Sequence, residues 1–350
     1  MKINRYAKIL FEFLASIQMK KVLGIETSCD ETAVAVVAEG KHILVNLVAS
    51  QAKIHEQYGG VYPEVASRHH VDQLLPLVEE ATKEHEIDLI AVANGPGLMG
   101  ALLMGVTGAQ ALAYGWQKPL VGVNHVEAHL YAAMMEEEPR FPALGVVVSG
   151  GHTLLAKMTD ICEYEILGTT VDDAVGEAFD KVAALLDFPY PGGPHIETLA
   201  KEGDPERYSF RGGRVKGRPL DFSFSGLKTN VLYQVKGAQG SRKGPTVIDE
   251  AAKKDIAASF QRAAIEDIFN KALLAAKSFD CQAIYLGGGV TQNRRLRELF
   301  ETAPYPTFWP GPGLSLDNGA MIAGLGYHLY QRNHLVDIFP EKCYTRMKNN

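Results

Sequence analysis

The sequence predicts an α/β protein of two lobes with the same strand order, facing a shared cleft. Three observations carry that prediction. Residues 21–50 and 143–170 each read as strand, polar or glycine turn, strand, strand. Each set is followed by an apolar strand that ends in a glycine turn and opens a helix, DLIAVANGPGLMG (88–100) and CQAIYLGGGVTQN (281–293). The chain has 350 residues and is 46% hydrophobic, enough for two lobes with real cores.

In order, KVLGIETS (21–28) and TAVAVVAEG (32–40) are two strands around a polar turn, and Glu39-Gly40-Lys41 is a tight turn into HILVNLVAS (42–50). That is a three-strand antiparallel meander. A helix is expected at about 67–85, where Val71, Leu74, Leu75 and Val78 keep helical spacing. Strand, small-residue helix and strand PLVGVNH follow. The second meander is ALGVVVSGGHTLLAKM (143–158) with EYEILGTT (163–170). A helical insert of about 172–275 separates it from CQAIYLGGGVTQN, and GAQGSRKGPTVIDE (237–250) reads as a loop within it. Ligands in such sheets bind where strand ends meet glycine turns.

The net charge of −6 gives no global field for nucleic acid, although a local basic surface can still provide one. Cys29, Cys162, Cys281 and Cys343 form no C-x-x-C pair, which argues against a zinc ribbon and suits a reducing, cytoplasmic setting. Residues 1–18 hold basic residues and a single acid, Glu12, with no small-residue cleavage site; they read as an extension or an upstream start, not a secretory signal. Leu89 to Gln117 is uncharged and long enough to span a bilayer. Asn94, Gly95-Pro96-Gly97, Thr107 and Gln110 break it into a buried strand, a loop and a helix, so no membrane segment is expected.

Four motifs could carry chemistry. In VNHVEAHLYA (123–132), His125 and His129 are four apart, so on a helix both imidazoles share a face. Spacing alone does not separate a metal site from two cavity histidines; a third ligand is needed. Asp317, in WPGPGLSLDNGAMIAG (309–324), is the candidate, although an aspartate at a helix start is also a common N-cap. The order differs from the H-E-x-x-H of zinc proteases. Glu127 lies about 200° around the helix from His125 and is badly placed as a hydrolytic base. Ser149-Gly150-Gly151-His152-Thr153, its counterpart Thr27 to Thr32, and Gly287-Gly288-Gly289 before Asn293 are turns that suit a nucleotide. In VDDAVGEAFDKVA (171–183), Asp173, Glu177 and Asp180 are spaced for one helical face, and YPGGPHIE brings Gly193 and Glu197 next in sequence.

Nine segments in order, GIETSCDETAVAVV, NGPGLMGALLMGV, NHVEAH, VVSGGHT, DDAVGEAFDKVA, YPGGP, DFSFSGLKTN, GGGVTQNRRLR and LDNGAMIA, resemble the tRNA adenosine threonylcarbamoyltransferases. The family is called TsaD in bacteria and was once described as sialoglycoprotein endopeptidases. The resemblance covers about residues 19–335. It implies an actin-like ATPase (ASKHA) fold of two duplicated lobes around a nucleotide cleft. The expected division is an extension 1–18, lobe I at 19–135 plus about 314–335, lobe II at 136–313 with the insert, and a tail 336–350. Carried over by position, it implies metal ligands His125, His129 and Asp317, and substrate contacts Val148, Ser149, Gly150, Gly151, His152, Asp180, Gly193, Glu197 and Asn293. The family's metal is usually iron and sometimes zinc.

The implied reaction moves a threonylcarbamoyl group from threonylcarbamoyl-adenylate to N6 of the adenosine 3′ of the anticodon in tRNAs reading ANN codons. AMP leaves from a mixed anhydride, so no covalent nucleophile is expected, and the metal would act as a Lewis acid. The implied partners are tRNA, an actin-like paralogue without the metal site (TsaB) and a small ATPase (TsaE). Candidate phosphate contacts are RGGRVKGR (211–218), Lys228 and Arg294-Arg295-Arg297; the exposed helices of the first lobe are the candidate docking surface. Where the family often has Cys-Thr before the last Asp-Asn, this chain has Ser315-Leu316. Three rival readings are a metalloprotease, a small-molecule kinase of the same superfamily, and a non-catalytic partner subunit. The first needs a base that Glu127 does not supply, the second leaves the histidine pair unexplained, and the third is at odds with the retained ligand set.

Overall fold

A computed structural model describes residues 20–237, 248–333 and 343–345. The N-terminal extension and most of the 237–250 loop and of the 336–350 tail lie outside the described residues.

The first sheet has the order β3-β2-β1-β4-β5. Strands β1 (Lys21–Glu26), β2 (Glu31–Ala38) and β3 (His42–Ser50) form the antiparallel meander, and β4 (Leu89–Gly95) and β5 (Leu120–Asn124) add in parallel. The central strands are buried along nearly their whole length because helices cover both faces, so they read as continuous apolar runs, not alternating ones. After α1 (Ala52–Glu56), helices α2 (Pro63–Thr82) and α3 (Met99–Trp116) lie on one face. Helices α4 (His125–Ala132) and α10 (Gly319–Asn333) lie on the other.

The second sheet repeats the plan. Strands β6 (Ala143–Val148), β7 (Thr153–Asp160) and β8 (Glu163–Thr169) form a meander, and β9 (Ala283–Gly287) and β10 (Thr307–Phe308) add in parallel, giving β10-β9-β6-β7-β8. Mapping β6 onto β1 and β9 onto β4 reproduces the first sheet's order, so the duplication expected from sequence is present in the topology. Between β8 and β9 lie α5 (Val175–Leu185), α6 (Gly192–Ala200), α7 (Ser225–Lys236) and α8 (Glu250–Ser278). They share a core with β6 and β9 through Phe179, Phe222, Phe224, Phe260 and Ile268. A 3-10 turn (Gly289–Gln292) and α9 (Arg294–Phe300) complete the lobe.

A third core joins the two sheets. Val123, Leu130 and Tyr131 of the β5–α4 segment meet Met321 and Leu325 of α10 and Val147 and Tyr285 of the second sheet. Helix α4 therefore stands between the lobes, the right place for groups that must address a shared cleft.

Two expectations change. Helix α2 starts four residues earlier than spacing suggests, with Pro63 in its first turn, where the missing N–H costs nothing. On it Leu74 and Val78 are buried, but Val71 is 59% and Leu75 56% exposed. No helix of the described residues is long and apolar enough to cross a membrane.

Candidate metal centre and nucleotide cleft

Asn124 ends β5, and its side chain accepts the N–H groups of Val126 and Glu127, so α4 starts at His125. The i, i+4 spacing then puts the His125 and His129 rings edge to face, 4.7 Å apart between centroids. Both are buried. Asp317 arrives from the start of α10. The capping role is taken by its neighbour: Asn318 Oδ1 accepts the N–H of Met321 at 2.9 Å. Asp317 is thereby left to face the histidines, with Oδ1 3.1 Å from His129 Nε2 and 3.7 Å from His125 Nε2. One donor atom from each residue fits within a 4.8 Å cluster.

Close backbone packing fixes this geometry. A Cβ on Gly319 would stand 2.5 Å from Ala35 N, and one on Gly24 would stand 2.2 Å from Gly319 O. Helix α10 thus lies directly on β1 and β2. A Cβ on Gly287 would lie 2.2 Å from His129 O, so β9 and α4 are equally close.

The electrostatics are those of a ligand set. Glu26, fully buried at the end of β1, holds His125 Nδ1 through Oε2 at 2.8 Å, and Ser28 Oγ is 3.1 Å from the same nitrogen. This pins the ring and aims Nε2 into the cluster. Burial opposes the charged form of His125, but the Glu26 and Asp317 carboxylates outweigh it and raise its pKa to about 9. Burial also opposes ionisation of Asp317, yet His125 and His129 hold its carboxyl well below the usual range. Among the described residues neither buried ring nitrogen of His129 has a hydrogen-bond partner of good geometry, although Nε2 lies 3.1 Å from Asp317 Oδ1 and stabilises that carboxylate. Such atoms are rarely left so unless something else takes them up. Two imidazoles and a carboxylate around one point are a donor set for a divalent transition metal, and the orphaned His129 fits that use.

The Ser149–Thr153 turn closes on itself. Ser149 N–H donates to His152 O at 2.9 Å, and His152 N–H donates to Ser149 Oγ at 3.0 Å. A Cβ on Gly150 or Gly151 would meet nothing within 4 Å, so these positions face open space. The His152 ring is 6.2 Å from that of His125, which joins the turn to the metal cluster. Burial, then the neighbouring His125 and His129, lower the His152 pKa to about 3. Val148, the last residue of β6, is buried, and a Cβ on Gly288 would lie 2.5 Å from its carbonyl oxygen.

The remaining predicted contacts form a second group on α5, α6 and α9. Asp180 accepts the Gly192 N–H at 2.7 Å, and burial, opposed by the Gly192 and Gly193 N–H groups, raises its pKa to about 6. Gly193 has open space at its Cβ position. Glu197 accepts the Arg294 N–H at 3.1 Å. Asn293 caps α9 through Leu296 N–H and donates to Gln261 Oε1 at 2.8 Å. Tyr190 reaches from this side to Asp30 Oδ2 of the first lobe's turn at 3.4 Å, so the two lobes meet here.

Part of the acidic run is structural. Asp173 precedes α5 and bridges Lys181 and Lys228. Lys228 is 8% exposed and tied to that carboxylate, so it is not a surface phosphate contact. Glu127 is buried, its Oε1 has no hydrogen-bond partner among the described residues, and it stands outside the candidate metal cluster. Glu26 was not singled out by sequence; a glutamate ending a strand carries no spacing signal for a partner 99 residues away.

The profile of the family described as tRNA N6-adenosine threonylcarbamoyltransferase matches residues 42–324. Proteins of that name resemble the chain closely. The one from Protochlamydia amoebophila (strain UWE25) is 54% identical over 334 residues, covering 93% of this chain and 97% of the relative. The one from Chlamydia muridarum (strain MoPn / Nigg) is 51% identical, covering 88% of this chain and 92% of the relative. Among solved structures, full-length HypF in the phosphate- and nucleotide-bound form has a TM-score of 0.58 at 15% identity, covering 89% of this chain and 46% of that one. Component A of (R)-2-hydroxyglutaryl-CoA dehydratase from Acidaminococcus fermentans scores 0.50 at 12% identity, covering 90% and 100%. At such identities the likeness concerns the fold alone, and that fold is the actin-like ATPase one.

Proposed function

The chain belongs to the tRNA N6-adenosine threonylcarbamoyltransferase family, and on that premise we propose that it moves threonylcarbamoyl from threonylcarbamoyl-adenylate to N6 of the adenosine 3′ of the anticodon in tRNAs reading ANN codons. The observation that carries the reading is the His125–His129–Asp317 cluster, with both histidines buried and the His125 ring 6.2 Å from that of His152 in a glycine turn with open space before it. A metal beside a phosphate-sized turn suits an acyl-adenylate, with the acyl end at the ligands and the nucleotide end along the turns. Within Val148 to His152, the Gly150 and Gly151 N–H groups would hold the phosphate while the Ser149–His152 hydrogen bonds keep the turn closed, and Asp180, Gly193, Glu197 and Asn293 would hold the nucleoside.

His125, His129 and Asp317 would bind one divalent ion, iron or zinc, which when bound supplies Lewis acidity at the acyl oxygens. Glu26 holds His125 in the tautomer that presents Nε2. His152, kept neutral, can accept a hydrogen bond near the turn without adding charge. N6 would bond to the carbamoyl carbonyl carbon as that carbon's bond to the AMP oxygen breaks, its electron pair leaving with AMP and the N6 proton passing to water; positioning by these groups supplies the rest, so no covalent enzyme intermediate is needed. The metalloprotease alternative is weaker because Glu127 stands outside the cluster. We further propose a cytoplasmic protein that acts with tRNA, an actin-like paralogue and a small ATPase. Val71 and Leu75 of α2 and Met99 and Leu103 of α3, all exposed, are the surface for the paralogue.

The test is to incubate the chain and its partner subunits with threonylcarbamoyl-adenylate and unmodified tRNA, then digest the tRNA for mass spectrometry. Threonylcarbamoyladenosine is the expected product. Its absence with folded, metal-loaded protein would refute the reading.

A further inference from the structure

We propose that the exposed loop 207–218 is where the tRNA backbone docks, an inference that rests on the transferase reading above. Between Glu206 and Asp221 the chain has five cations, Arg207, Arg211, Arg214, Lys216 and Arg218, and no acid. This is a concentrated positive patch on a chain of net charge −6. All five are exposed.

Four of the five lack partners among the described residues, which distinguishes them from other candidate cations. Arg218 pairs with Asp221. Among the described residues, the side chains of Arg207, Arg211, Arg214 and Lys216 make no ion pair or hydrogen bond. The rival cluster on α9 is largely occupied: Arg294 binds Glu298, and Arg297 donates to Thr291 O and lies over the Trp309 ring. Lys228 is buried. Like charges that outnumber the acids beside them repel one another, and a polyanion relieves that repulsion while releasing its own counterions.

The loop lacks regular secondary structure, yet its backbone is held. Gly213 N–H donates to Ser223 O at 3.1 Å, Lys271 Nζ donates to Gly213 O at 3.2 Å, and Asp221 N–H donates to Arg218 O at 3.2 Å. Gly212 lies so close to Asp267 that a Cβ there would be 2.3 Å from its carboxyl carbon. The tethers lead to the cleft. Phe222 N–H donates to Thr169 O, Val171 N–H to Phe222 O, and Thr170 N–H to Thr153 O. Thr153 directly follows the Ser149–His152 turn. The segment that follows the patch is therefore tethered to the end of β8 that borders the candidate substrate turn, and the last residues of the patch, Gly217 and Arg218, run beside β8. A tRNA held there by its phosphates can place a loop nucleotide at the cleft, with position, not sequence, set by these contacts.

The test is binding of unmodified tRNA by the full-length chain across a salt series, comparing wild type with the triple variant Arg211→Gln, Arg214→Gln, Lys216→Gln. A control pair carries Arg294→Gln and Arg295→Gln. The triple variant is expected to bind at least about tenfold more weakly at ~0.1 M salt, with the slope of log affinity against log salt reduced by about two units. Its melting temperature and its binding of threonylcarbamoyl-adenylate are expected to match wild type. Unchanged affinity and slope in the triple variant would overturn the proposal while leaving the transferase reading intact. Loss of slope in the control pair alone would overturn it in favour of α9. A wild-type chain that neither binds nor modifies tRNA would remove the transferase reading and this inference with it.

Discussion

Glu26 shows how much of the proposed metal cluster depends on a residue outside the ligand set. Its carboxylate sits 2.8 Å from His125 Nδ1 with both groups buried. Glu26→Gln should keep the fold but loosen the ring's tautomer and lower metal affinity about 10- to 100-fold, read by competition with a chelator. Proton competition gives a second check. His125 titrates near 9 in the metal-free chain, and only its neutral form can bind. Apparent metal affinity should therefore weaken about tenfold for each pH unit below about 9 while one proton is displaced. Asp180 behaves in the opposite sense to a salt-bridged carboxylate. Its pKa is raised from 3.8 to about 6, so the folded chain keeps this proton longer than the unfolded one. Stability from this group is full at low pH and is lost as pH rises from about 4 to about 6. Asp180→Asn should flatten that part of the stability curve, followed by denaturant melts.

Among the elements, glycines separate packing from ligand approach. Gly319→Ala would push a methyl into the backbone of β2, shift the start of α10 and carry Asp317 with it. A stability loss of about 1–3 kcal/mol together with weaker metal binding is expected. Gly150→Ala meets no protein atom, so stability should be unchanged while threonylcarbamoyl-adenylate binding falls. Equal losses of stability in both variants would mean that the Gly150 turn is a packing feature. The meanders, glycine turns and histidine helix were legible because short apolar runs between turn residues, glycine placement and i, i+4 spacing are local signals. Asp317 was legible as a candidate, but its release from capping depends on Asn318 taking that role. The inward and outward faces of α2 were not legible. Val71 and Leu75 look like core by spacing, and only the packed structure shows that the sheet is already covered without them.

Across the whole molecule, two copies of one sheet plan leave a helix between them, and that helix carries two of the three proposed ligands. Duplication was legible in the sequence; the pairing of β1's last residue with the helix after β5 was not, because it arises only when the sheet assembles. The exposed apolar side chains of α2 and α3 belong to this scale as well. Leu75→Asp should leave the isolated chain folded and abolish co-elution with the proposed actin-like partner in size-exclusion chromatography. The most direct measurement of the central claim is the single-turnover rate of threonylcarbamoyl transfer to tRNA by wild type and by Asp317→Ala, both folded and with partner subunits present. The account predicts a fall of at least about 100-fold in the variant, about 2.7 kcal/mol of lost transition-state stabilisation. Equal rates would contradict it and remove the His125–His129–Asp317 cluster from the chemistry.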